Sequence, residues 1–164
     1  FKSAGHKHHE CLQSALVAAR KHCESGGLRL TPLRQRVLEL VWQNHEPVKA
    51  YDLLAELKQD HASSAPPTVY RALEFLQEQG LVHKIESLNA YVGCGNPKEL
   101  HSSQFLICDD CGTVAEIDDE DINSLLKSKA ERLGFSINDP MIEIKGHCQS
   151  CQDKQNRNSR NTTK

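Results

Sequence analysis

The sequence predicts an α+β chain in two parts: a helical first half that closes on a short hairpin, and a second half of strands around one amphipathic helix. Three observations predict it. Apolar residues recur at helical spacing through four segments that end at Gly80. Short β-prone runs separated by turn residues follow from Leu81. Two Cys-x-x-Cys pairs, Cys108 with Cys111 and Cys148 with Cys151, bracket the later strands and helix.

The elements follow in order. "ECLQSALVAARKHCESGG" puts Leu12, Leu16, Ala19 and Cys23 on one helical stripe, and Gly26 and Gly27 stop it. In "LTPLRQRVLELVWQNHEP", Thr31 is the expected N-cap and Pro32 the first helical residue, with Leu33, Val37, Leu40 and Val41 as the apolar face. "KAYDLLAELKQD" turns Leu53, Leu54 and Leu57 inward. "SAPPTVYRALEFLQEQG" starts on two prolines, repeats Val69, Leu73 and Leu76 at core spacing and stops at Gly80. Residues 81–86 and 90–94 then read as two strands around a turn at 87–89.

Beyond them, "SQFLICDDCGTVAEID" reads as two strands around a tight turn at 109–112. "DDEDINSLLKSKAERLG" is an amphipathic helix with the stripe Ile122, Leu125, Leu126 and Leu133, acidic at its start and basic later, as the helix dipole favours. "FSINDPMIEIKGHC" is expected to give strand segments interrupted at 138–140. So small a β-α-β layout predicts an exposed edge or helix face that pairs with a second copy. The polar, Asn-rich tail 152–164 is expected to be disordered.

Composition narrows the function classes. The chain has 164 residues, enough for one domain or two small ones, and a hydrophobic fraction of 38%. Cores that small often need a metal or a partner subunit. No apolar run is long enough for a membrane helix, so no membrane role is expected. Seven cysteines are an odd number, and no export signal is visible, so the expectation is a reducing cytoplasm and metal-held thiols. Net charge is -2, with 11 basic and 10 acidic residues up to Glu86 and 5 basic against 11 acidic from Ser87 to Ser150. Overall charge therefore announces no nucleic-acid binder, and any such role rests on local placement.

Local placement offers one. Three short helices, a fourth, then a hairpin is the order of a winged helix-turn-helix, whose fourth helix would enter the major groove. Its outward residues near the start are Thr68, Tyr70, Arg71 and Glu74; Arg71 could read guanine or bind phosphate, and Tyr70 a thymine methyl or phosphate. An exposed Tyr-Arg pair is also ordinary helix surface.

The two Cys pairs can give four thiolates to one tetrahedral zinc, because two intervening residues let a tight turn aim both sulfurs at one point. A redox dithiol is the competing reading. Such a pair usually occurs once and at a helix start, whereas here there are two and both flank strand-like sequence. His83, Cys94, His101 and Glu116 form a second mixed set competent for zinc. Spacing alone leaves that set open, since His83 fits a hairpin histidine, Cys94 a small buried hydrophobe and Glu116 a surface carboxylate.

Taken together, "LRLTPLRQRVLEL", "AYDLLAEL", "PPTVYRALEFLQEQGLVHKIES", "YVGC", "FLICDDCGTVAEI" and "GHCQSC" resemble the ferric-uptake-regulator family of metal-dependent repressors, and most of all its zinc-sensing members. The resemblance implies a winged-helix DNA-binding domain over 1–86, a hinge over 87–100 and a zinc-stapled α/β dimerisation domain over 101–151. It implies a structural zinc on Cys108, Cys111, Cys148 and Cys151, and a regulatory zinc on His83, Cys94, His101 and Glu116, hence two zinc ions per subunit. It also matches Tyr70 and Arg71 to DNA-contacting positions; Arg34, Arg36 and Lys49 are expected to add phosphate contacts. The iron- and peroxide-sensing members carry a His-rich run before the first Cys pair, where this chain has "HSSQFLIC" with His101 alone. That disfavours an iron sensor.

The resulting expectation is a cytoplasmic, homodimeric, zinc-responsive repressor of zinc-uptake genes on double-stranded operator DNA. It would have no catalytic residues and no small-molecule substrate. The rivals are an iron, manganese or nickel regulator of the same fold and, in another class, a zinc-binding thiol-redox protein.

Overall fold

The computed structural model describes residues 8–43, 46–60, 65–97, 103–138 and 140–161. The chain divides into two compact units, Ser3–Leu100 and His101–Lys164.

In the first unit, α1 (His8–Ser25) turns Leu16, Ala19 and Cys23 inward. α2 (Pro32–Val41) begins where its sequence signals place it. Thr31 keeps an extended backbone, and its Oγ1 accepts the Arg34 N–H at 3.3 Å. Pro32 costs nothing in the first turn, where an N–H has no partner in the helix. α2 buries Val37, Leu38, Leu40 and Val41, α3 (Ala50–Asp60) buries Leu53, Leu54 and Leu57, and α4 (Pro66–Glu78) buries Val69, Ala72, Leu73, Phe75 and Leu76. These side chains form one core that extends to Leu81, Val82 and Tyr91. Truncating one of its fully buried leucines, such as Leu73, to alanine would cost about 2–5 kcal/mol.

The hairpin continues directly from α4, since the Leu81 N–H bonds to Leu76 O at 2.8 Å. β1 (Val82–Ile85) pairs antiparallel with β2 (Ala90–Gly93), in a register that sets His83 opposite Val92. A 3₁₀ turn at Glu86–Leu88 and a left-handed Asn89 (φ 47°) close it. Val48 adds two backbone bonds to Tyr91, of 2.9 and 2.8 Å. Thus, of the range 87–100 expected as a hinge, residues 87–93 are the turn and second strand of the hairpin.

In the second unit, β3 (Ser103–Cys108) is central in a sheet of order β4-β3-β5, antiparallel to β4 (Val114–Ile117) and parallel to β5 (Met141–Gly146). α5 (Glu120–Arg132) connects the two outer strands. Its N-cap, Asp119, accepts from the N–H groups of Asp121 and Ile122 at 3.0 and 3.1 Å. The fully buried Gln104 ties β3 to this helix start, donating from Nε2 to Asp119 O at 3.0 Å and to Asn123 Oδ1 at 2.9 Å.

One expectation is met here and two change. The exposed helix face is the α5 stripe: Leu125, Leu126 and Leu133 are exposed, Leu133 by 84%, and α5 contributes no fully buried residue. Residues 135–138 form no strand, because the Phe135 N–H bonds back to Ala130 O and finishes the helix end. The tail is helical up to Asn161 in α6 (Gln149–Asn161), where composition predicted disorder. Cys151 fixes its first turn in a buried position, and Gln149 Nε2 donates to Asp153 Oδ1 at 2.8 Å across one turn.

Candidate metal centres and nucleic-acid interface

Cys108 ends β3, Cys111 lies in the following turn, Cys148 precedes α6 and Cys151 sits in its first turn. The turn is closed by Gly112 N–H to Cys108 O at 2.9 Å, and Gly112 takes φ +70°, a conformation other residues rarely adopt. All four Sγ atoms lie within 4.8 Å of one another. Cys111 Sγ and Cys148 Sγ are 3.8 Å apart. A zinc–sulfur bond of about 2.3 Å gives a tetrahedron edge of about 3.8 Å, so this spacing fits a tetrahedral ion and is far from the roughly 2.05 Å of a disulfide.

The electrostatics fit the same group. Cys108 is held down at about 6, first because the Cys148 N–H donates to its Sγ at 3.3 Å and then through the Cys111 N–H. Cys111 is also lowered, mainly by its hydrogen bond with Thr113, whose Oγ1 lies 3.2 Å away. Cys151 is pushed up to about 12 by hydrogen bonding with Cys148 and by burial. Sulfurs this close cannot all ionise side by side without a cation among them, and a divalent ion removes that conflict.

The sequence-based argument against redox chemistry changes in one respect. The second pair follows β5, as expected, but it also opens a helix, as redox pairs do. What separates the readings is that all four sulfurs converge on one point. Around them, His147 Nδ1 pairs with Asp110 Oδ2 at 2.9 Å, Gln155 Nε2 donates to the same oxygen at 2.9 Å, and Gln152 Nε2 donates to His147 O at 2.6 Å. These bonds join the two cysteine turns from outside. No spacing in the sequence ties His147 to Asp110, so this bond has no sequence signal.

Of the second set, the first unit brings two members together. His83 lies on β1, and Cys94 follows β2 directly, its N–H bonded to Leu81 O at 3.1 Å. With His83 opposite Val92, this pairing places His83 and Cys94 on the same face of the hairpin. A ring nitrogen of His83 and Cys94 Sγ lie within 4.8 Å, and Cys94 is 3% exposed. Glu116 stands half-buried on β4 of the second unit, opposite Phe105. His101 lies outside the described residues.

On α4, Tyr70, Arg71 and Glu74 face solvent and Thr68 is half-buried in the first turn. Lys49 is exposed just before α3. The other two expected phosphate ligands are engaged within the unit. The Arg34 guanidinium lies 3.5 Å over the Phe75 ring and donates to Arg29 O at 2.8 Å, clamping α2 to α4. Arg36 pairs with Glu39 at 3.4 Å.

Comparison with known proteins agrees with this arrangement. The model of the ferric uptake regulator family matches residues 25–145. The zinc uptake regulation protein of Escherichia coli (strain K12) is 42% identical over 140 residues, 85% of this chain and 82% of that protein. Among solved structures, a zinc uptake regulator complexed with zinc and DNA matches with TM-score 0.84 at 40% identity, over 88% of this chain and 97% of that one. Holo XcZur matches with TM-score 0.80 at 45% identity, over 85% and 98%. A family model over residues 25–145 and a relative this similar over most of both sequences place the chain in the ferric uptake regulator family.

Proposed function

We propose that this chain is a zinc-responsive transcriptional repressor, cytoplasmic and homodimeric, that binds operator DNA and controls zinc-uptake genes. The observation that carries the reading is its 42% identity over 140 residues to a zinc uptake regulation protein. The four-sulfur cluster and the His83–Cys94 pair support it as ligand sets of the right chemistry. No helix among the described residues is long and apolar enough to cross a membrane.

Two zinc ions per subunit are assigned, one to Cys108, Cys111, Cys148 and Cys151, the other to His83, Cys94, His101 and Glu116. Bound zinc supplies a divalent charge that holds thiolates deprotonated and cross-links segments distant in sequence. The four cysteines staple the second unit, where Phe105 and Ile107 are the only described hydrophobic residues, cysteines aside, that are fully buried. His83 and Cys94 belong instead to a hairpin that continues from α4, so whatever orders the hairpin also orders the helix that carries Tyr70 and Arg71. Thr68 and Lys49 extend that surface toward the phosphate backbone. The exposed apolar side chains of α5 and β5, among them Leu125, Leu133 and Ile144, suit a face covered by a second copy.

The test is a gel shift with promoter DNA from a zinc-uptake gene, with zinc, with iron, manganese or nickel, and with chelator. Retardation that zinc restores at the lowest free concentration supports the reading. Retardation indifferent to chelator removes it.

A further inference from the structure

A tryptophan packs against the residue that precedes Cys94. Trp42 is the only tryptophan in the sequence, and it is the residue that ends α2, with its N–H on Leu38 O at 3.0 Å. The side chain is 8% exposed and belongs to the core. Its indole packs against Gly93, so close that a Cβ built on Gly93 would clash with Nε1, Cε2 and Cδ1 of the ring. Gly93 does not have the positive φ that favours glycine elsewhere in the chain, so glycine is needed there for space and not for conformation. Gly93 immediately precedes Cys94, and its strand partner Val82 immediately precedes His83. The indole is therefore packed against the strand position that precedes one ligand and pairs with the residue that precedes the other. It is held there by a helix whose Val37, Leu38, Leu40 and Val41 are buried.

We propose that Trp42 is the positioning residue of the His83–Cys94 metal pair, with Gly93 as the complementary space that lets the indole set the height of the β2 end. This rests on the assignment of His83 and Cys94 as metal ligands. Ligand atoms must be held to within a fraction of an ångström to capture a tetrahedral ion, and loss of supporting contacts around metal ligands typically costs about 10- to 100-fold in affinity. A methyl group at position 93 lifts the strand end off the indole and moves Cys94 with it. A smaller residue at position 42 removes the support. The two changes together restore the fit, because the added methyl occupies volume the indole has vacated. The arrangement also makes tryptophan emission a direct reporter of metal at this pair.

The experiment titrates the full-length protein, already carrying its four-cysteine metal, with cobalt(II). It follows the thiolate charge-transfer absorption and the quenching of Trp42 emission. Wild type should show both signals at a further equivalent per subunit. Cys94→Ser should lose them, and if it keeps them the ligand assignment itself fails. Gly93→Ala and Trp42→Leu should each weaken that equivalent by about 10- to 100-fold. The Gly93→Ala/Trp42→Leu double variant should recover most of the absorption signal. Trp42→Phe, which keeps an aromatic side chain in the α2 core, covers the case in which Gly93→Ala does not fold, and should weaken binding in the same sense. Cobalt affinity unchanged in Trp42→Phe and Gly93→Ala, with Cys94→Ser defective, overturns the positioning role while leaving the ligand assignment standing. So does a double variant weaker than either single one.

Discussion

The backbone N–H of Cys148 donates to Cys108 Sγ at 3.3 Å, so the second cysteine turn holds the first thiolate even before any ion is considered. The lowered Cys108 and the raised Cys151 give the metal-free unit a pH signature. Cys108 is depressed from 9.0 to about 6, so its contribution is full above pH 9 and is lost as pH falls through 6. Cys151 is raised from 9.0 to about 12, so its contribution is full below pH 9 and is lost as pH rises toward 12. From these two groups, thermal melts of chelator-stripped protein should show the second unit most stable near pH 9. A steady fall in melting temperature from pH 6 to 9 would contradict this.

Replacing Cys108 with serine should remove one zinc per subunit and destabilise the second unit. That unit has little apolar core beyond Phe105 and Ile107, and metal binding of this kind is itself folding free energy. Metal analysis together with limited proteolysis checks it. The expected pattern is rapid cleavage after residue 101 with the first unit left intact.

Arg34 should behave as a structural residue. Its stacking on Phe75 and its bond to Arg29 O together suggest a loss of about 1–2 kcal/mol for Arg34→Ala. The variant should leave the salt dependence of DNA binding unchanged. By contrast, Arg71→Ala should weaken operator binding by about 1–3 kcal/mol, and Lys49→Ala should lower the salt slope by about 1. Denaturant melts and binding isotherms at several salt concentrations separate the three.

The exposed apolar side chains of α5 give a fourth test. Leu125 is 61% exposed and Leu133 is 84% exposed. Leu133→Glu should convert the dimer to monomer in sedimentation analysis while the melting profile of the first unit is unchanged.

Much of this was legible in the sequence, for identifiable reasons. Thr31 and Pro32 announce the start of α2 because capping is a local matter, settled within one turn. Cys108, Cys111, Cys148 and Cys151 are readable because their spacing has few other chemical uses. The apolar stripe on α5 was legible as amphipathic, but periodicity cannot say whether a face meets its own core or another molecule, and here Leu125 and Leu133 face outward. α6 was missed because its Asn-rich, polar sequence has no apolar stripe after Cys151; what holds it is tertiary, the buried Cys151 and the bonds of Gln152 and Gln155. The stacking of Arg34 on Phe75 was not legible, because a sequence shows charge but not the ring it packs on. The Trp42–Gly93 contact joins residues far apart along the chain and has no sequence signature.

The most direct test of the central claim is operator binding by Cys94→Ser across a titration of free zinc. The account predicts a folded dimer that keeps the zinc of its four cysteines and no longer tightens on DNA as zinc rises. Zinc-dependent binding equal to that of the unaltered protein would contradict it.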